Sequence, residues 1–327
     1  MKRIKGLVLL CLLGSLSCSE DFQLTEPWKD IPVVYGFINV RDTAQYVRVE
    51  RLFVDENIPA SQIAKNVDSL YYKNAVVSLV NLTKNRNKDY ILTMVDANLE
   101  GYMREDGPFA TSPNYIYKIR TSDMVLNSGD SILFKLNRSA ELPLVTARIV
   151  VLNDMSFSTP ADDQKVLVFK PTESQQFAWS AKSDAKIFDF IINIYVQEVN
   201  VVTTKSEIKR IVWSAQKGDF SKKALINNQS FYNILRDRLI VDGNIKRQIL
   251  KVDLEVKAGG QDLLEFNSIV NANTGITASQ EIPRYSNLSE GFGLFASTAT
   301  LVRTMGISSD TKSYLKTDPA TSALNFQ

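Results

Sequence analysis

Apolar and polar residues alternate with a period of two along most of the chain after residue 30. The pattern is clear in YVRVERLFV (46–54), NYIYKI (114–119) and SILFKLN (131–137). This period is typical of half-buried antiparallel strands. Turn-forming stretches, DGPFATSP (106–113) and LNSGDS (126–131), separate the strands at intervals typical of β-sandwiches.

The second half of the chain contains the two strongest strand patterns. KIFDFIINIYVQE (186–198) predicts one unbroken apolar face formed by Phe188, Phe190, Ile192, Ile194 and Val196. ILKVDLEVK (249–257) predicts an inward face of Leu250, Val252, Leu254 and Val256, with Lys251, Asp253, Glu255 and Lys257 directed to water.

Two segments follow a helical period instead. SFYNILRDRL (230–239) has Ser230 as its expected N-cap, and DLLEFNSIV (262–270) has Asp262. We expect both to cover a sheet rather than to bind a partner. The fold prediction is therefore mainly β, with two β-sandwich (immunoglobulin-like) domains and one or two short helices in the second.

The N-terminus predicts a leader. Residues 1–17 combine a charged start, an apolar run (6–13) too short to span a bilayer, and small residues before Cys18. SLSC resembles a bacterial lipobox, although Ser15 stands where a larger aliphatic residue is usual. The resemblance implies that Cys18 becomes the first mature residue and carries acyl chains such as palmitate. In the alternative, the leader is an ordinary one and Cys18 is incidental.

The residues after Cys18 indicate which side of the outer membrane the mature protein is expected to face. Ser19, Glu20 and Asp21 resemble the acidic export signal of surface lipoproteins in Bacteroidota, but a solvated linker would have the same composition. We expect a tether over 18–29. Two domains follow, an N-terminal β-sandwich over 30–142 and a C-terminal β-rich domain over 143–327, divided at Pro143.

Composition limits the chemistry. The 327 residues include no histidine, and both cysteines, Cys11 and Cys18, lie in the first eighteen residues. These absences exclude a Ser-His-Asp triad, a cysteine nucleophile and a zinc-thiolate site from the body. The formal net charge of +2 gives no basic surface for nucleic acid. We predict no catalytic residue, no metal and no cofactor, with a carboxylate-based enzyme left as an alternative.

The remaining candidates each have a plainer interpretation. The acidic pairs Glu105-Asp106 and Asp162-Asp163 lie in turn-like stretches, which favours solvated loops over paired catalytic acids. DENIPASQ (55–62) lacks the regular ligand spacing of a calcium loop. Trp179 and Trp213 are expected in the core rather than in a sugar-binding platform. Trp28 in the tether is the candidate for partner contact, or a plug for the first sandwich.

PRYSNLSEGFGLFAS (283–297) adds a family resemblance. With DIPVVYGFIN (30–39), SPNYIYKIRT (112–121) and SFYNILRDRLIVDGNI (230–245), in that order, it resembles a Bacteroidota family of outer-membrane lipoproteins of unknown function, often encoded beside TonB-dependent receptors. YSNLSEGFG departs from the family's usual form, so the similarity is to a divergent branch. Independently, Gly291 and Gly293 predict positive φ or close backbone approach.

The resemblance implies no catalytic residues. It implies a lipid-anchored accessory protein of the outer membrane, which we expect to be non-enzymatic and, from the residues after Cys18, exposed at the cell surface. The expected partner is an outer-membrane β-barrel, either a TonB-dependent transporter or another outer-membrane machine. A surface adhesion or glycan-binding lipoprotein is the alternative, and an enzyme is the third.

Overall fold

The structure, a computed structural model, describes residues 30–52, 58–272 and 285–327. Its strands are β1 (Ile31–Ile38), β2 (Ala44–Leu52), β3 (Val76–Asn81), β4 (Tyr90–Ile91), β5 (Thr93–Asp96), β6 (Tyr115–Arg120), β7 (Ser131–Asn137), β8 (Val145–Val150), β9 (Ser156–Thr159), β10 (Val166–Leu167), β11 (Ser174–Ser180), β12 (Ile187–Asn200), β13 (Ser206–Asp219), β14 (Lys223–Asn227), β15 (Ile245–Gly259) and β16 (Phe292–Ile307). Its α-helices are α1 (Ala60–Ile63), α2 (Val67–Leu70), α3 (Gln229–Arg238), α4 (Gln261–Ala272) and α5 (Ser309–Thr317).

The strands form two sandwiches, which confirms the predicted fold class. In the first, the sheet β4-β3-β7-β8 packs against β1, β2, β6 and β5 of a nine-stranded sheet. In the second, β14-β11-β9 packs against β13, β12, β15 and β16 of that same large sheet. Each sandwich encloses its own apolar cluster, and the second also buries one side of α3 and of α5.

One long strand, β16, belongs to both sandwiches. Its first six residues pair in parallel with β1, and its later residues pair antiparallel with β15. Phe295 lies in the first core, whereas Leu301 lies in the second. The two sandwiches are therefore joined by continuous backbone hydrogen bonding across one sheet.

Two glycines allow β16 to lie against β1. Gly291 and Gly293 have φ of +90° and +124°. A Cβ on Gly293 would lie 1.8 Å from the carbonyl oxygen of Val34, and one on Gly291 would lie 2.3 Å from that of Pro32. Both forms of the sequence prediction, positive φ and close backbone approach, are confirmed.

The boundary between the two cores follows the end of β8. This strand pairs with β7, and Val151 is the last residue of this part of the chain in the first core, while Leu152 begins the second. The apolar face that continues past Pro143 places 145–151 with the first sandwich. The division at 142/143 stays a prediction. Residues 145–151, which follow it in sequence, pack with the first sandwich.

The faces predicted for 249–257 are wrong at Leu250 and Asp253. Leu250 is exposed and Ile249 is buried, because β15 shifts register against β12 between Tyr195 and Val196. Such a bulge reverses the facing of the residues on one side of it. Asp253, predicted to face water, is buried and accepts hydrogen bonds from Lys251 at 2.8 Å and Thr304 at 2.6 Å.

Helix starts also differ from the prediction. Helix α3 begins one residue before Ser230, with Asn228 at the N-cap position. Helix α4 begins at Gln261, so Asp262 is inside its first turn and accepts hydrogen bonds from Tyr285 and Asn287. Helix α5, which packs Leu315 into the second core, was not predicted. Its N-cap, Ser308, accepts a hydrogen bond from the Thr311 amide at 3.1 Å.

A buried ion pair fixes the C-terminal residues to the second sandwich. Arg247 on β15 is fully buried and donates to Glu198 on β12 at 2.7 Å and to the carbonyls of Leu324 and Ile240, each also at 2.7 Å. Lys209 provides a second cation for Glu198. Burial alone would raise the pKa of the Glu198 carboxyl, but hydrogen bonds from Lys209 and Arg247 outweigh it and lower that pKa.

We expect this network to make folding sensitive to acid. Because the pKa of Glu198 is lower in the folded chain, its stabilising effect is present above the ordinary value of 4.5 and is lost as pH falls through the folded pKa. Glu198→Gln should therefore have a lower urea midpoint than wild type at pH 7 and lose less stability between pH 7 and pH 3. Equal acid losses in the two proteins would contradict this.

Candidate functional site

The predicted site residues Cys18, Ser19, Glu20, Asp21 and Trp28 lie outside the described residues. The described chain starts at Asp30, directly before β1. This is where the predicted tether would join the body. Any contact made close to a membrane anchor is therefore to be sought at this end of the first sandwich.

Asp30 is held by a buried arginine. Arg138, whose side chain is 0% exposed, donates to Asp30 Oδ1 at 2.8 Å and to the Asp30 carbonyl at 2.9 Å. Its other terminal nitrogen donates to Glu290 at 3.0 Å and to the Pro143 carbonyl at 3.1 Å. One guanidinium thus joins the start of β1, the connection between β7 and β8, and the segment before β16.

Tyr72 completes this cluster by donating its hydroxyl to Asp30 Oδ1 at 2.6 Å. Burial, followed by the hydrogen bond to Asp30, raises the pKa of Tyr72 far above its usual range. The phenol therefore remains protonated and continues to donate. With Arg138 and Tyr72 both donating to its carboxylate, Asp30 is a fixed attachment point.

An exposed apolar surface lies at the same end of the sandwich. Strand β2 ends at Leu52 opposite Ile31, and the connection 97–114 leaves β5 and enters β6 at this end. We call the exposed side chains here the tether-end surface: Leu52, Ile58, Leu99, Met103 and Phe109. Leu99 is 88% exposed and Met103 is 81% exposed.

The loop that carries most of this surface is fixed from below. Arg104 donates to Glu50 at 2.8 Å and to the Tyr71 hydroxyl at 3.3 Å, and its guanidinium lies 4.9 Å from the Phe109 ring centre. The Ala110 amide donates to the Ala64 carbonyl beside α1 at 2.8 Å. The apolar side chains therefore stand on an ordered base.

Two shallow hollows lie side by side next to Asp30. One of about 290 Å³ extends from Asp30 and Arg138 to Tyr71 and Lys73. The other, of about 340 Å³, shares Tyr71 and Lys73 and continues to Met94. The surface beside Asp30 is thus concave and partly aromatic.

Other sequence candidates have structural positions. Trp179 is 3% exposed in the second core, and Trp213 packs partly buried against it. The acidic pairs Glu105-Asp106 and Asp162-Asp163 are exposed. Of the DENIPASQ segment, which lacks calcium-loop spacing, 55–57 lies outside the described residues. Within the described ranges, no three His, Cys, Asp or Glu side chains are grouped to hold a metal, and no helix is long and apolar enough to cross a membrane.

Sequence reasoning missed both parts of the site. Arg138 follows an alternating strand and looks like an ordinary surface residue, and its burial depends on partners 108 and 152 residues away. The apolar residues Leu99 and Met103 lie between turn formers without a periodic pattern. Their position in such a polar connection was the one signal that could have identified them.

Comparison with known proteins adds little. No family model matches the chain, and no curated protein matches it. Among solved structures, the chain is similar to the FN1–FN3 domains of chicken CNTN1, at 12% identity and TM-score 0.27, covering 86% of this chain and 68% of that one. It is also similar to the calcium binding domain CBD12 of CALX1.1, at 12% identity and TM-score 0.19, covering 82% and 98%. Such TM-scores carry no argument, and the sandwich architecture rests on the strand order above.

Proposed function

We propose that this protein is a lipid-anchored accessory protein of the outer membrane that docks on a β-barrel partner, such as a TonB-dependent transporter, through its tether-end surface. The observation that carries the proposal is the exposed apolar surface beside the point where the tether joins the body. Exposed apolar groups of this kind, on an ordered base, favour contact with another protein.

The chemistry of the surface favours a protein over a sugar. Its two most exposed side chains, Leu99 and Met103, are aliphatic and offer neither a ring face nor a hydrogen bond to a sugar. Arg104 beneath them adds a cation that is already paired with Glu50. Aromatic residues and methionine around a central arginine are enriched at protein interfaces.

A tether makes even a weak contact effective. The twelve residues from 18 to 29 could reach about 40 Å when fully extended. Anchoring at Cys18 would keep the tether-end surface close to the membrane plane, where a barrel exposes its rim. The local concentration of the two partners then replaces part of the affinity that a free protein would need.

The proposal includes the absence of enzymatic activity. The acidic pairs that raised the enzyme alternative are solvated, and Asp162 is already paired with Arg303. The buried carboxylates Glu198 and Asp253 each contact cations and lie in separate networks. In the described part of the chain they have structural roles.

Crosslinking in cells tests the docking. We expect Leu99→Ser combined with Met103→Ser to reduce recovery of a crosslinked barrel at least tenfold, equivalent to about 1.4 kcal/mol, because two central apolar contacts are lost. Trp28→Ala should act in the same direction. Labelling with a clickable fatty acid checks the anchor, and Cys18→Ala should abolish it.

Leu225→Ser with Ile240→Ser is the matched control, since both side chains are strongly exposed on the second sandwich. This variant should crosslink as well as wild type. If the tether-end variant also crosslinks as well as wild type, the docking proposal is wrong. If only lipid contacts are lost, the surface binds the bilayer rather than a barrel, which also contradicts the proposal.

A further inference from the structure

A second surface lies at the other end of β1. A groove of about 640 Å³ runs between helix α4 and the outer face of the large sheet. Its floor is formed by strands β1, β15 and β16, through residues such as Phe37, Glu255 and Thr300, and its wall includes Leu263 and Asn267 of α4. This volume is in the range of small-molecule binding sites.

Aromatic rings extend the groove across the sheet. Phe37 is 42% exposed in the floor, and Tyr46 lies directly opposite it on β2. Directly opposed residues share a face of the sheet. The Tyr46 ring contacts that of Tyr102 at 5.3 Å between centres, and Tyr35 stands exposed two residues before Phe37. Four aromatic side chains therefore line one face, beginning in the groove.

The groove also holds hydrogen-bonding groups that are available to a ligand. The Asn267 amide and the Thr298 hydroxyl line it, and within the described residues neither group is hydrogen-bonded to a side chain or to backbone. Three carboxylates and two cations share the lining, so its charge is nearly balanced: Asp42, Asp189, Glu255, Arg41 and Lys257. A strongly charged ligand would gain little here.

The backbone beneath the groove excludes one type of ligand. Strands β15, β16 and β1 are interior strands, each paired on both sides. An extended peptide cannot add to this sheet here, because main-chain donors and acceptors are already used. A ligand must bind through ring faces and side-chain hydrogen bonds alone.

We propose that this groove and its aromatic row bind a neutral oligosaccharide. The sugar rings present apolar C–H faces that stack on aromatic side chains, and their hydroxyl groups match amide, hydroxyl and carboxylate partners. Phe37 is the stacking platform, and Asn267 and Thr298 are the hydrogen-bonding residues. This site is separate from the docking surface: the eight residues of β1 place it about 25 Å from Asp30.

Calorimetry on the full-length lipidated protein, in a detergent without a sugar headgroup, tests the site. The probes are soluble neutral hexasaccharides of α-glucan, β-glucan, xylan and mannan type. At least one should bind at millimolar or lower concentration. Phe37→Ala should weaken that binding at least tenfold, and Phe37→Trp should restore it because the ring face is retained.

Phe220→Ala, which removes an exposed ring from the second sandwich, is the matched control and should bind like wild type. Asn267→Ala should weaken binding by a smaller factor. Circular dichroism must show that each variant melts like wild type. Absence of binding to every neutral probe, binding only to an acidic hexagalacturonate, or binding indifferent to Phe37→Ala would overturn the proposal. None of these outcomes depends on barrel crosslinking.

Discussion

Replacing Gly293 with alanine is expected to prevent β16 from pairing with β1. The new methyl group would lie 1.8 Å from the Val34 carbonyl oxygen, and alanine is strained at a φ of +124°. Gly293 and Val34 both lie in paired strands of the sheet, so neither backbone segment can move away without breaking hydrogen bonds. We expect a loss above about 4 kcal/mol in the free energy of unfolding, or failure to fold.

Urea unfolding followed by circular dichroism measures this effect. Gly243→Ala is the control, because nothing lies within 4 Å of its Cβ position, and its stability should stay within about 0.5 kcal/mol of wild type. If Gly293→Ala unfolds at the wild-type urea concentration, the close contact between β16 and β1 is wrong.

Arg138→Met is expected to have the second-largest effect. The substitution keeps an unbranched side chain but leaves Asp30 and Glu290 without their shared cation, while Tyr72 still donates to Asp30. Removing one partner of a buried charge network costs about 3–5 kcal/mol. The same urea measurement checks it, and the start of β1 should become accessible to protease.

An exposed pair provides the comparison for Arg138. Arg41 contacts Asp154 at 3.4 Å, with both side chains at least half exposed. Arg41→Met should therefore cost less than about 1 kcal/mol. If Arg41→Met and Arg138→Met lower the free energy of unfolding equally, burial is not the reason why the Arg138 network stabilises the fold.

Local pattern was sufficient for the strands and their faces where the sheet is regular. Ile192 and Ile194 are buried as their period predicts, because this stretch of β12 keeps a regular register with β13 and β15 and its face packs in the second core. The pattern failed at Leu250, since a bulge depends on the register of a neighbouring strand. Sequence alone has no signal for that register.

The sharing of β16 could not be predicted for a related reason. Its residues alternate like those of any strand, and the pattern does not indicate that one half pairs with β1 and the other half with β15. The glycines at 291 and 293 predicted a special backbone, but their partners are Pro32 and Val34, more than 250 residues earlier.

The candidate sites were even less predictable. Phe37, Tyr46 and Tyr102 belong to separate strands and a loop, and they form a row only after the strands pair. The predicted partner contact at Trp28 lies outside the described residues and stays a prediction. Function in this chain depends on side chains brought together by the sheet rather than on a contiguous motif.

The strand that joins the sandwiches also sets the order in which the chain can fold. The Ser297 hydroxyl donates to the Ile38 carbonyl across 259 residues of sequence, so β1 cannot pair with β16 until the chain has been made as far as β16. Contacts of such long range slow folding. One edge of β1 therefore stays without its strand partner until the C-terminal residues have been made.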